Sequence, residues 1–125
     1  QIGIHPGLGS FFFLSKSVGD QLATKMLLTG ERINGQVALE RGMVVETHDH
    51  PDKVLSAAFD LADQIAKGSP EMTRTTAKTI RLQQDRHLDE YLQREADAQA
   101  LTYSTQNFSN GLKAVRNKTP VEFSD

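Results

Sequence analysis

Glycines close one segment of this chain after another, and residues able to cap a helix open the next. Val18-Gly19 is followed by Asp20, Thr29-Gly30 by Asn34, and Lys67-Gly68 by Ser69. Such punctuation limits the chain to a series of short helices. Residues 10 to 17 make a short apolar piece. Asp20 can cap a second helix, in which Leu22, Ala23, Met26 and Leu27 recur at three- and four-residue spacing. Asn34 can cap a third, which carries Val37, Ala38 and Arg41 to Gly42. Met43-Val44-Val45-Glu46-Thr47 alone has β-branched, extended character and reads as one short strand. His48 to Asp52 is turn chemistry. After it, Val54, Leu55, Ala58, Leu61, Ala62 and Ile65 trace a continuous apolar stripe. Ser69-Pro70-Glu71 combines an N-cap, a first-turn proline and a first-turn acid. A long helix is expected over 85–103, with Leu88, Tyr91, Leu92, Ala98 and Leu101 inward, and a last one from Ser109 to about Asn117. The layout is mainly helical with one strand, and a lone strand needs partners from upstream or from another subunit.

Composition narrows the function. With 14 Lys and Arg against 16 Asp and Glu in 125 residues, the chain lacks the basic surplus that nucleic acid or an anionic membrane requires. It has no cysteine, hence no disulfide, thiolate zinc site or cysteine nucleophile. The longest apolar run, Phe11 to Leu14, is far short of the roughly 20 residues that span a bilayer. No secretory signal is visible, so a cytoplasmic location is expected, with a mitochondrion or another organelle also open. The chain opens inside a Gly/Pro loop without an initiator Met and reads as a fragment.

Three places invite chemistry. Pro6, Gly7 and Gly9 precede a helix whose N-terminal amides are unobstructed by side chains, a setting that favours an anion or a carbonyl oxygen; the plain alternative is a glycine-rich turn. His48 and His50 flank Asp49 as metal ligands would, yet no further ligand recurs at helical spacing, so they read as surface punctuation and no metal is expected. Glu95 lies among Leu88, Leu92 and Ala98, either as an acid/base group or as half of a structural ion pair. His5 shares the glycine loop and suits packing or hydrogen bonding as well as proton transfer.

Several segments in order resemble one family. They are Ile2 to Gly9, Leu14 with Val18-Gly19, Leu28 to Ile33 with Ala38 and Gly42-Met43-Val44, Ser69-Pro70 with Lys78, and Asn110 to Val115 with Lys118, Pro120 and Phe123. Together they resemble the C-terminal half of the enoyl-CoA hydratase/isomerase, or crotonase, superfamily. The resemblance implies a parent α/β spiral of ββα units, with 1–68 as the end of the spiral core and 69–125 as a helical trimerisation region. It implies a homotrimer or dimer of trimers acting on acyl-CoA thioesters, with coenzyme A entering as part of the substrate and no tightly bound cofactor. Two backbone amides of such an enzyme stabilise the thioester enolate.

By the same resemblance, His5, Pro6, Gly7, Leu8 and Gly9 line the acyl group, while Val115 and Lys118 stand at the nucleotide end of CoA. Val115 replaces the family's usual phenylalanine and Thr119 its signature arginine. Phe11-Phe12-Phe13 replaces a small-polar-basic stretch, either as an unusual acyl pocket or as a better-packed helix. The family's catalytic glutamates and oxyanion donors would all fall upstream of Gln1, so no catalytic residue is assigned here. The leading expectation is an enoyl-CoA hydratase whose C-terminal half is inactive alone. A non-catalytic oligomerisation or protein-binding module of the same fold is its rival, with a metal-binding helical protein third.

Overall fold

The computed structural model describes residues 2–123, and the expected segment ends at residues 1 and 124–125 lie outside them. Seven helices form among the described residues: α1 (Ser10–Val18), α2 (Asp20–Thr29), α3 (Gly35–Glu40), α4 (Pro51–Ala66), α5 (Pro70–Gln84), α6 (Leu88–Tyr103) and α7 (Gln106–Asn117). Their starts follow local chemistry. The Asn34 side chain accepts from Val37 N at 2.9 Å, that of Ser69 from Met72 N at 3.5 Å and that of Thr105 from Phe108 N at 3.2 Å. Each capping oxygen satisfies an amide that the helix itself leaves unpaired.

Four expectations are corrected. No strand occurs among the described residues: Met43, Val44 and Val45 bend and Glu46 and Thr47 are irregular, because no described segment supplies the ladder that the β-branched residues need. Gly19 occupies the cap position before α2, and Asp20 is the helix's first residue. The long helix begins at Leu88, because α5 continues to Gln84 and Asp85 ends it. The last helix starts three residues before Ser109, at Gln106, because Thr105 caps it.

The described residues fall into two compact units. One joins the chain up to Ile33 with the chain from His87 onward; the other is Asn34–Arg86. In the first unit α1 packs on α2 and α6 on α7, around Phe12, Ala23, Ala98 and Ala114. Leu101, expected inward, is 71% exposed; it stands three residues past buried Ala98, on a turn that nothing in the described chain covers. In the second unit only Ala38 is buried. The stripe on α4 exists as read, but its Val54, Leu55, Leu61 and Ile65 face solvent, as does the neighbouring Phe59. Among the described residues no helix is long and apolar enough to cross a membrane.

Candidate functional site

The first unit carries the loop that the sequence singled out, and α6 holds it in place. The His5 amide donates to Thr102 Oγ1 at 3.0 Å, and Gln99 Nε2 donates to the His5 carbonyl at 3.2 Å. Thr102 Oγ1 in turn donates to the Gln99 carbonyl at 2.8 Å, which uses both capacities of the hydroxyl. Pro6 lacks an amide hydrogen and needs no partner there. Ser10 closes the turn by donating through its amide to the Gly7 carbonyl at 3.3 Å, with its hydroxyl on the same oxygen at 2.5 Å.

Glu95 completes the arrangement. Its carboxylate is 5% exposed and accepts from three backbone amides: Gly9 N at 2.6 Å and Ser10 N at 3.1 Å on Oε2, and Phe11 N at 3.2 Å on Oε1. These are the opening amides of α1, which lacks a capping side chain of its own and any acid in its first turn. A buried carboxylate at a helix N-terminus meets both the unpaired donors and the positive end of the helix dipole. Glu95 therefore works through backbone amides and forms no ion pair among the described residues, a correction to one of the readings of this residue. The amides that appear unobstructed in the sequence are filled by the chain's own anion, supplied from 84 to 86 residues away.

Leu8 sits at the loop's tip, 91% exposed and in the left-handed region at φ 63°, where a side chain with a Cβ is strained. A mainly apolar cleft of about 310 Å³ opens beside the loop, bordered by His5, Pro6, Phe11, Thr24, Leu27, Leu28 and Glu95. A wider one of about 640 Å³ shares His5 and Pro6 and extends to Ile2, Met26 and Phe123. The loop residues His5 and Pro6 thus stand between two apolar hollows. Val115 and Lys118 line neither cleft. Val115 is exposed on α7, and Lys118 ends that helix at φ 55°, its amide bonded to the Val115 carbonyl at 3.2 Å.

His48, Asp49 and His50 are not gathered into a metal cage: the described residues contain no group of three or more His, Cys, Asp or Glu placed to hold an ion. His48 Nε2 instead faces Glu46 Oε1 at 3.6 Å. Sequence reasoning missed Gln99 and Thr102. Their signal was the spacing of 95, 99 and 102, which puts three polar side chains on one face of a helix.

The chain matches the enoyl-CoA hydratase/isomerase family over residues 1–125 and belongs to it. It is 33% identical over 122 residues to the 2,3-dehydroadipyl-CoA hydratase of Escherichia coli, covering 98% of this chain and 48% of that protein. Identity to the trans-2-decenoyl-[acyl-carrier-protein] isomerase of Streptococcus mutans is 25%, with 98% of this chain and 46% of that protein covered. The crystal structure of an enoyl-CoA hydratase from Mycobacterium avium subsp. paratuberculosis superposes with a TM-score of 0.88 at 26% identity, covering 99% of this chain and 50% of that one. The chain therefore spans about half the length of the relatives it matches, and it has the fold of the corresponding helical half of a crotonase.

Proposed function

We propose that this chain is the C-terminal portion of an enzyme that hydrates a trans-2-enoyl-CoA in fatty-acid-type metabolism. Water adds across the C2=C3 bond: the hydroxyl goes to C3 and a proton to C2, through an enolate on the thioester oxygen. In this reading residues 1–68 end the spiral core and 69–125 form the trimerisation region of a cytoplasmic homotrimer or dimer of trimers. The catalytic glutamates and the oxyanion amides come from the chain before Gln1. His5 to Gly9 line the acyl group, and Val115 and Lys118 meet the nucleotide end of CoA, where an ammonium faces phosphates. No further cofactor, nucleic acid or membrane takes part.

The observation that carries the reading is the apolar cleft beside the loop, walled by Phe11, Leu27 and Leu28. Such a hollow suits a hydrocarbon chain, with few polar groups to fix its orientation. The hydratase and isomerase names of the relatives support the reaction class. Its test is to incubate the full-length protein containing this chain with crotonyl-CoA. Loss of the conjugated enoyl absorbance, with oxygen from labelled water at C3, is expected. A shifted double bond or released CoA thiol redirects the reading to an isomerase or a thioesterase; binding without turnover makes the protein a non-catalytic module. The 125 residues alone are expected to give no turnover.

Leu8 supplies a second check. Glycine there relieves left-handed strain of about 1 kcal/mol and adds unfolded-state entropy of about the same size, so stability should hold within about 0.5 kcal/mol. In the proposed reading, removing this exposed side chain takes apolar surface from the acyl group and should lower kcat/KM by about tenfold for medium acyl chains. Unchanged acyl preference in Leu8→Gly would remove Leu8 from the acyl wall.

A further inference from the structure

We infer that α6 carries a positioning device for the acyl loop, made of Glu95, Gln99 and Thr102. This rests on the reading of residues 5–9 as the acyl-thioester wall and goes beyond it: Glu95 borders the smaller cleft and Thr102 the wider one, yet the bonds that matter here run from all three side chains to the loop's backbone. The argument is one of register. Positions 95, 99 and 102 lie on one face of a helix, and each bonds the backbone of the loop or of the first turn after it. Thr102 sets the His5 amide, Gln99 the His5 carbonyl, and Glu95 the amides of Gly9, Ser10 and Phe11.

Both ends of the strained segment around Leu8 are thereby fixed, and the left-handed residue is held between two clamps. Strain of this kind persists only where its surroundings over-determine the backbone. The bonds run to main-chain atoms, so they dictate where the loop lies whatever side chains it carries. Glu95 is the strongest of the three, being ionisable, buried and matched to three donors at once.

Glu95→Gln in the full-length protein is the test. The substitution keeps the shape but places an NH2 where one carboxylate oxygen accepts, so a donor faces a donor. Hydrogen exchange in the peptide spanning residues 7–14 should rise by about tenfold or more. With crotonyl-CoA, kcat should fall about 100-fold as the acyl wall shifts by about an ångström, while KM stays within about twofold, as expected when a transition-state interaction is lost. Glu95→Asp, which keeps the charge, should recover part of kcat; Gln93→Ala, on an exposed face of α6, should change neither readout. Faster exchange with unchanged kcat overturns the inference and leaves the acyl-thioester reading standing. No turnover by the wild-type protein on any acyl thioester overturns that reading, and this inference with it. If Glu95→Gln does not fold, the isosteric Thr102→Val decides, since its kcat must also fall; an unchanged kcat overturns the device.

Discussion

Replacing Gly111 by alanine is expected to destabilise the protein by about 2 kcal/mol, although in an exposed helix the same change would stabilise it by about 1 kcal/mol. The reversal comes from the neighbour. A Cβ on Gly111 would stand 2.5 Å from the Ile2 carbonyl carbon and 2.7 Å from Ile2 Cα, with the Ile2 carbonyl oxygen nearer still. These are backbone atoms, so no rotamer change relieves the overlap, and forcing the segments apart costs about 3 kcal/mol. The opposing face is closed as well: a Cβ on Gly3, itself at φ 70°, would meet the Asn107 carbonyl oxygen at 2.7 Å. Ile2 and Gly3 thus meet α7 main chain to main chain. Separating them also displaces the stretch that leads into His5. Thermal unfolding of Gly111→Ala should show a midpoint lower by about 8 °C, and kcat/KM on an acyl thioester should fall with it. A midpoint equal to or above that of the parent would mean that Ile2 and Gly3 do not lie across α7.

That contact shows what was legible in the sequence and what was not. Gly111 stands out as part of the run Asn110 to Val115, but only the fold supplies the carbonyl that excludes a side chain there. Helix starts are legible because capping is local: Asn34 and Ser69 bond amides three residues ahead, within reach of any sequence window. Burial is less so. The α4 stripe announces a face that seeks cover, yet Leu55 remains 61% exposed, since a pattern specifies the face and not the partner. The strand at Met43–Thr47 fails for a related reason, its ladder depending on residues elsewhere. At the site, the glycine loop and the buried setting of Glu95 were both readable separately. Their meeting across more than 80 residues was not, because a carboxylate that caps another helix leaves no motif at either end.

Phe12→Ala should cost about 4 kcal/mol, since truncating a buried phenylalanine removes both transfer free energy and packing. The run Phe11-Phe12-Phe13 reads either as an acyl pocket or as core packing, and helix geometry divides the work. Consecutive helical residues are about 100° apart, so three in a row cannot all face one core. Phe12 is the one turned inward, 4% exposed, its ring 5.3 Å from that of Tyr91 and 5.1 Å edge-on from that of Phe13, with Lys16 Nζ 3.7 Å above its face. Phe11 is half-buried, stacks on Tyr91 at 6.3 Å and walls the smaller cleft. Phe13 is 47% exposed, the most open of the three. Chemical denaturation should rank the alanine variants Phe12 first, Phe11 next at about 2 kcal/mol and Phe13 last at under about 1 kcal/mol, in proportion to apolar area lost. Activity should follow a different order: Phe11→Ala enlarges the cleft and should shift acyl preference towards longer chains, whereas Phe13→Ala should leave it alone. Equal stability losses at 12 and 13 would contradict the inward placement of Phe12. An unchanged acyl preference in Phe11→Ala would take the cleft out of substrate binding and leave the whole run to packing.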